Sequence, residues 1–126
     1  MSKKKILVTG GDGRFAKILK KDNKKLILYF ASKKNCNILN KSSITKIIKK
    51  IKPDIILHTA ALSRPMDIHN NDIGKSIELN IIGTANLVQV CSKFNIKIIY
   101  FSTSYVYEGK NGNYKESDPV KPFNNY

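Results

Sequence analysis

Short unbroken apolar runs alternate along the chain with stretches whose apolar residues recur every three or four positions. Ile6 to Thr9, Leu26 to Phe30, Ile55 to His58 and Ile96 to Phe101 are the unbroken runs, and each reads as a buried strand. Arg14 to Lys21 carries Phe15, Ile18 and Leu19 on the apolar face of a short helix. Ser42 and Ser43 are candidate N-caps of a second helix, with Ile44, Ile47, Ile48 and Ile51 at helical spacing and Pro53 as its stop. Asp72 opens a long helix with Ile73, Ile77, Ile81, Thr84, Val88 and Cys91 along one face. Beyond Phe101, the run Glu108-Gly109-Lys110-Asn111-Gly112-Asn113 and the prolines at 119 and 122 predict a loop to Tyr126.

Apolar strands that do not alternate, separated by helices, predict a parallel sheet covered on both faces. Right-handed crossovers make it a doubly wound, Rossmann-like α/β fold. No repeat and no linker interrupts residues 1–126, which read as one domain. Such sheets usually have more strands. The chain therefore reads as an N-terminal fragment.

Composition refines this picture. Of the 126 residues, 41% are hydrophobic and 25% charged, as in an ordinary globular domain. The net charge of +14 raises the question of nucleic acid. However, Arg14 and Arg64 are the only arginines, and the lysines are spread from Lys3 to Lys121. Abundant Lys, Asn and Ile are what an AT-rich coding sequence favours. Arginine forks and stacked aromatics are missing, so no nucleic-acid partner is expected. The charge serves better as a field that attracts phosphorylated ligands.

No apolar run approaches the roughly 18–20 residues of a membrane span. The basic start Met1-Ser2-Lys3-Lys4-Lys5 leads into a strand and a glycine loop, not a signal core. The expected setting is cytoplasmic, without a membrane partner. Cys36 and Cys91 have neither CxxC spacing nor a secretory context, and read as reduced thiols. His58 ends a strand and reads as a wall of a cleft, whereas His69 sits in a polar loop. Neither stands in a metal-ligand pattern, so no metal is expected.

The first chemistry lies at Thr9-Gly10-Gly11-Asp12-Gly13-Arg14-Phe15-Ala16, between a strand and a helix. Gly10 allows a tight turn, Gly13 a close approach of the backbone to a pyrophosphate, and Ala16 close helix–strand packing. The helix N-terminus offers N–H donors and a positive dipole end to phosphate. About 20 residues on, NAD-binding folds carry an acid for the ribose hydroxyls. Here the region is Phe30-Ala31-Ser32-Lys33-Lys34, with no carboxylate. Two lysines there, and Arg14 within the loop, suit a 2′-phosphate and favour NADPH, with NADH or NAD as the alternative. Arg64, in Ser63-Arg64-Pro65-Met66-Asp67 after the third strand, is either a phosphate partner or a solvated loop residue.

The second chemistry is a strand-end hydroxyl, in Tyr100-Phe101-Ser102-Thr103-Ser104-Tyr105-Val106-Tyr107, followed by Pro122-Phe123-Asn124-Asn125-Tyr126. A carbonyl reduced by hydride gathers negative charge on oxygen. A hydroxyl polarises that oxygen and a tyrosine delivers the proton. An unperturbed tyrosine, with a pKa near 10, needs a cation beside it to act at neutral pH.

These passages resemble the extended short-chain dehydrogenase/reductase family, and within it the dTDP-4-dehydrorhamnose reductases and related sugar-nucleotide-binding proteins. Besides the glycine loop and the Ser-Thr-Ser stretch with its downstream Asn-Asn-Tyr, two more carry the likeness. They are Lys52-Pro53-Asp54-Ile55-Ile56-Leu57-His58-Thr59-Ala60-Ala61 and Leu79-Asn80-Ile81-Ile82-Gly83-Thr84-Ala85-Asn86-Leu87. The resemblance implies Thr103 as the carbonyl-polarising hydroxyl, three residues before Val106, and Tyr126 as proton donor. It implies that Gly10, Gly13, Arg14, Phe15, Ala16, Lys33, Asn37, Ala60, Ala61 and Asn80 bind or support the cofactor.

The chain departs from the family pattern in three places. Asn37 stands where family members often have an aspartate near the adenine. Ser104 stands where the dTDP-4-dehydrorhamnose reductases tend to have Asp. The family's catalytic lysine, at the fourth position after the tyrosine, would lie past Tyr126, as would the C-terminal half that binds the sugar nucleotide, so the resemblance implies that residues 1–126 are the NAD(P)-binding Rossmann domain alone. The leading expectation is NADPH-dependent reduction of a 4-keto sugar nucleotide, in a protein that can be a homodimer. The alternatives are an NAD-dependent epimerase or dehydratase of the same family, and a non-catalytic nucleotide-binding regulatory subunit.

Overall fold

The computed structural model describes residues 3–126, so the Met1-Ser2 part of the basic start lies outside the described residues. Four parallel strands, β1 (Lys5–Thr9), β2 (Ile27–Ala31), β3 (Ile55–His58) and β4 (Lys97–Tyr100), form one sheet in the order β2-β1-β3-β4. The pairings run Leu7↔Tyr29, Leu7↔Ile56 and Ile56↔Ile98, so these side chains share one face. That face carries the core: Leu7 and Ile56 pack with Ile44 and Ile48 of α2 (Lys41–Ile51) and with Leu87, Val90 and Cys91 of α5 (Gly83–Lys93).

The step from β1 to β2 runs opposite to the later steps. Right-handed crossovers therefore put α1 (Arg14–Asp22) on the other face from α2 and α5. The sheet is doubly wound, as expected, but the α1 face is only partly covered. Ala16 is fully buried there, whereas Phe15 and Ile18 of the expected apolar face are 47% and 61% exposed.

Two further expectations are corrected. The α2 N-cap is Asn40, not Ser42 or Ser43: its Oδ1 accepts the N–H groups of both serines, at 2.9 and 3.1 Å. The long helix does begin after Asp72, whose carboxylate accepts the Lys75 N–H at 3.0 Å. It is composite, however: α4 (Ile73–Ser76), a π-helical segment (Ile77–Ile82) and then α5. Ile73, Ile77, Ile81 and Val88 are exposed, and the buried line is Ser76, Gly83, Leu87, Val90 and Cys91. A one-turn helix, α3 (Ile68–Asn71), precedes α4, and a short 3-10 turn, Ser104–Val106, follows β4. No helix among the described residues is long and apolar enough to cross a membrane.

Candidate active site

The strand order reverses between β1 and β3, and doubly wound sheets open their crevice at that point, outside the carboxyl ends of the strands. The chain leaves β1 through Gly10, at φ +66°, where a side chain would be strained. A Cβ there would lie 2.9 Å from the backbone of Ala60, so the turn after β1 and the end of β3 touch directly. Gly13 precedes α1 in extended conformation, with no side-chain cap. The N–H groups of the first turn of α1 are thus left to a ligand.

A network behind the crevice fixes these ends. Thr9 Oγ1 accepts the N–H of Thr59 and of Ala60, both at 3.2 Å, which fills its lone pairs. Its own O–H therefore donates to His58 Nδ1 at 2.8 Å, and His58 Nε2–H donates to Thr84 Oγ1 at 3.0 Å. The Thr59 hydroxyl donates to the Thr9 carbonyl at 2.6 Å. His58 is buried, and burial pushes its pKa down to about 4, so the ring is neutral.

Two cavities flank this point. The first, of about 300 Å³, is lined by Gly10 and Gly13 of the loop, Lys33 and Asn37 beyond β2, and Ala60 and Ala61. The second, of about 510 Å³, shares Ala60 and Ala61 and adds Phe15, His58, Asn80, Thr103 and Tyr126. The two residues expected to carry the chemistry thus meet in one cavity, next to the one that holds the glycine loop.

Thr103 Oγ1 accepts the Tyr105 N–H at 3.2 Å, which leaves its O–H free to donate. Burial, reinforced by the phenols of Tyr100 and Tyr105, holds the Tyr126 pKa above its ordinary value of 10. Phe15 meets Phe101 edge-on, with centroids 5.2 Å apart, at the mouth of this cavity.

Other expected residues behave differently. Asn80 spends both amide atoms on Leu62, accepting its N–H at 2.7 Å and donating to its carbonyl at 2.9 Å. It braces the loop after β3 while also lining the second cavity. Asn37 Oδ1 accepts the Leu39 N–H at 3.1 Å, and its own N–H donates to Ser43 Oγ at 3.0 Å. Ala16 is buried beneath the loop and lines neither cavity. Arg14 and Arg64 are exposed and also stand outside both walls.

Sequence reasoning missed Thr9, Thr84, Asp12, Cys36 and the apolar wall of Ile38, Leu62 and Leu79. Thr9 and Asp12 stand inside the glycine motif, and Leu79 and Thr84 inside the Leu79–Leu87 stretch, so these four had a signal that pointed to them. His69 does not lie in an open polar loop: it is fully buried in α3. Among the described residues no cluster of three or more His, Cys, Asp or Glu could hold a metal ion.

The family model described as RmlD substrate binding domain matches residues 4–126. The chain is 30% identical over 122 residues to a dTDP-4-dehydrorhamnose reductase of Aggregatibacter actinomycetemcomitans, covering 94% of this chain and 41% of that protein. It is 33% identical over 90 residues to the methionine adenosyltransferase 2 subunit beta of Bos taurus, covering 71% of this chain and 27% of that one. Among solved structures, a dTDP-4-dehydrorhamnose reductase of Bacillus anthracis in complex with NADP superposes with a TM-score of 0.88 at 28% identity, over 99% of this chain and 45% of that one. The fold also matches a UDP-glucose 4-epimerase of Thermus thermophilus complexed with NAD, with a TM-score of 0.81 at 19% identity, over 97% of this chain and 46% of that one. The chain thus spans less than half the length of these relatives.

Proposed function

Because the chain belongs to the RmlD substrate binding domain family, we propose that it is the dinucleotide-binding part of an NADPH-dependent reductase acting on a 4-keto sugar carried on a nucleotide. The observation that carries this reading is the shared wall of the two cavities. Ala60 and Ala61 separate a glycine-loop pocket from one that holds Thr103 and Tyr126.

The residues present fit a dinucleotide. The uncapped first turn of α1 offers N–H groups to a pyrophosphate, and the bare Gly10 lets that turn pack against Ala60, on the wall of the same cavity. Lys33, in the segment Phe30–Lys34 that carries no carboxylate, lines the first cavity and suits a 2′-phosphate. The bound dinucleotide supplies the hydride. Thr103 O–H donates to the substrate carbonyl oxygen and draws charge onto it. Tyr126 gives the proton that turns this oxygen into a hydroxyl. Burial and neighbouring phenols hold the tyrosine neutral, which suits a donor but not its recharging, so a cation beside it is part of the reading.

In a form of the protein that turns over, Tyr126→Phe and Thr103→Val are expected to lower kcat by about 100-fold or more while NADPH affinity stays within about twofold. Unchanged kcat in both variants would sink the reductase reading.

The likeness to methionine adenosyltransferase 2 subunit beta supports a second reading, a nucleotide-binding regulatory subunit. It predicts that the same two variants change nothing, and that the partner enzyme's kinetics respond to NADPH instead.

A further inference from the structure

α3 is a single helical turn, yet it buries a histidine completely. His69 Nδ1 lies 2.7 Å from Ser76 Oγ, so the ring is anchored to the first turn of the helix that follows. Its Nε2 is the only buried side-chain polar atom among the described residues without a hydrogen-bond partner. Leaving such an atom unpaired is costly, so this side chain is not held here for the hydrogen bonds it completes.

What the ring touches is Tyr126. The two ring centroids are 4.6 Å apart, tilted by 45°. A second tie joins the same turn to the same loop tip: Asn125 Nδ2 donates to Asn70 Oδ1 at 3.1 Å. From another side Tyr105 meets the Tyr126 ring edge-on, at 5.6 Å and 86°. The phenol thus sits at the end of a long irregular segment with its ring orientation set by two neighbouring rings.

We infer that His69 is a positioning residue for Tyr126, a role that rests on the reading of Tyr126 as the proton donor. A donor must reach hydrogen-bond distance of the substrate oxygen with its ring correctly turned. No regular element after the 3-10 turn fixes that, because residues 107–126 form no helix or strand. The imidazole supplies a flat wall. Its bond to Ser76 stops that wall from rotating, which a phenyl ring in the same place would be free to do.

The test follows tyrosine ring signals by NMR in the 126-residue chain carrying 13C-labelled tyrosine, with the Tyr126 signal assigned from Tyr126→Phe. In His69→Ala the Tyr126 signal is expected to move to the position of an exposed tyrosine, while NADPH affinity stays within about twofold. His69→Phe, which keeps a flat ring but loses the bond to Ser76, should give an intermediate shift. Ser76→Ala, which only frees the ring, should give an intermediate one. In a form that turns over, His69→Ala should lower kcat by about 10- to 100-fold at unchanged KM for NADPH.

A Tyr126 signal that stays in place in His69→Ala overturns the inference. If His69→Ala does not fold, an unmoved signal in both Ser76→Ala and His69→Phe overturns it. A signal that moves while Tyr126→Phe retains full turnover sinks the catalytic reading of Tyr126 and leaves the contact standing.

Discussion

At the scale of single residues, the best-determined group is His58, because its neighbours leave it one protonation state. Thr9 Oγ1 already accepts two backbone N–H groups, so His58 Nδ1 must accept rather than donate. A second proton on the ring would set a donor against a donor. Burial alone already lowers the pKa from 6.5 to about 4. Between these values the unfolded chain takes up a proton that the folded chain refuses. The contribution of His58 to stability is therefore fully present above pH 6.5 and is lost as pH falls toward 4. Its size is about 3 kcal/mol. Urea unfolding between pH 4.5 and 7.5 should show stability falling with acid. A His58→Gln variant, though less stable at neutral pH, should lose most of that slope. A slope equal to that of the unsubstituted chain would show that other groups set it. The same network holds Ala60 against Gly10, so NADPH affinity of the folded chain should persist until pH nears 4, where the folded ring itself takes up a proton.

At the scale of elements, chemistry at helix ends decides more than apolar count. Asn40 caps α2 and thereby also places Ser43, whose hydroxyl receives the Asn37 N–H beside the glycine-loop cavity. Asn40→Ala is expected to cost about 1 kcal/mol, read as a lower urea midpoint. Ser42→Ala, at an exposed position that caps nothing, should stay within about 0.5 kcal/mol. Equal losses in the two would return the cap to the serine.

The four strands were legible to within a residue or two, because unbroken runs such as Ile55-Ile56-Leu57 admit little else. The glycine loop was legible because its chemistry is local. The buried face of the long helix was not. The pattern assumes 100° per residue, and the π-helical turn over Ile77–Ile82 breaks that phase. It leaves Ile77 and Ile81 exposed and turns Asn80 toward Leu62. Nor could a histidine among asparagines announce its burial, since its partner Tyr126 lies far along the chain.

At the scale of the whole molecule, two apolar surfaces lie exposed among the described residues. Along the helix, Ile77, Ile81 and Val88 are 40–62% exposed, and Tyr100 beside them is 59% exposed. On the α1 face, Phe15, Ile18, Ile99 and Phe101 are 43–61% exposed, next to the outer edge of β4. An apolar face beside an unpaired strand edge favours association. The net charge of +14 opposes it by repulsion between copies. These effects scale differently with salt: at about 1 M the screening length shrinks to roughly 3 Å, and burial of apolar surface is left unopposed. The 126-residue chain is therefore expected to sediment as a monomer at about 0.05 M salt and as dimers or larger species at about 1 M. Ile81→Glu and Ile99→Glu, one on each surface, tell the two apart, because the surface that drives association is the one whose variant stays monomeric. A chain that stays monomeric at both salt concentrations would mean that the bare residues are too scattered to act as a surface. If the helix surface drives association, two copies would meet through the π-helical segment and α5, and the glycine-loop cavity, which none of Ile77, Ile81, Val88 and Tyr100 lines, would stay open, so the dimer should still bind NADPH.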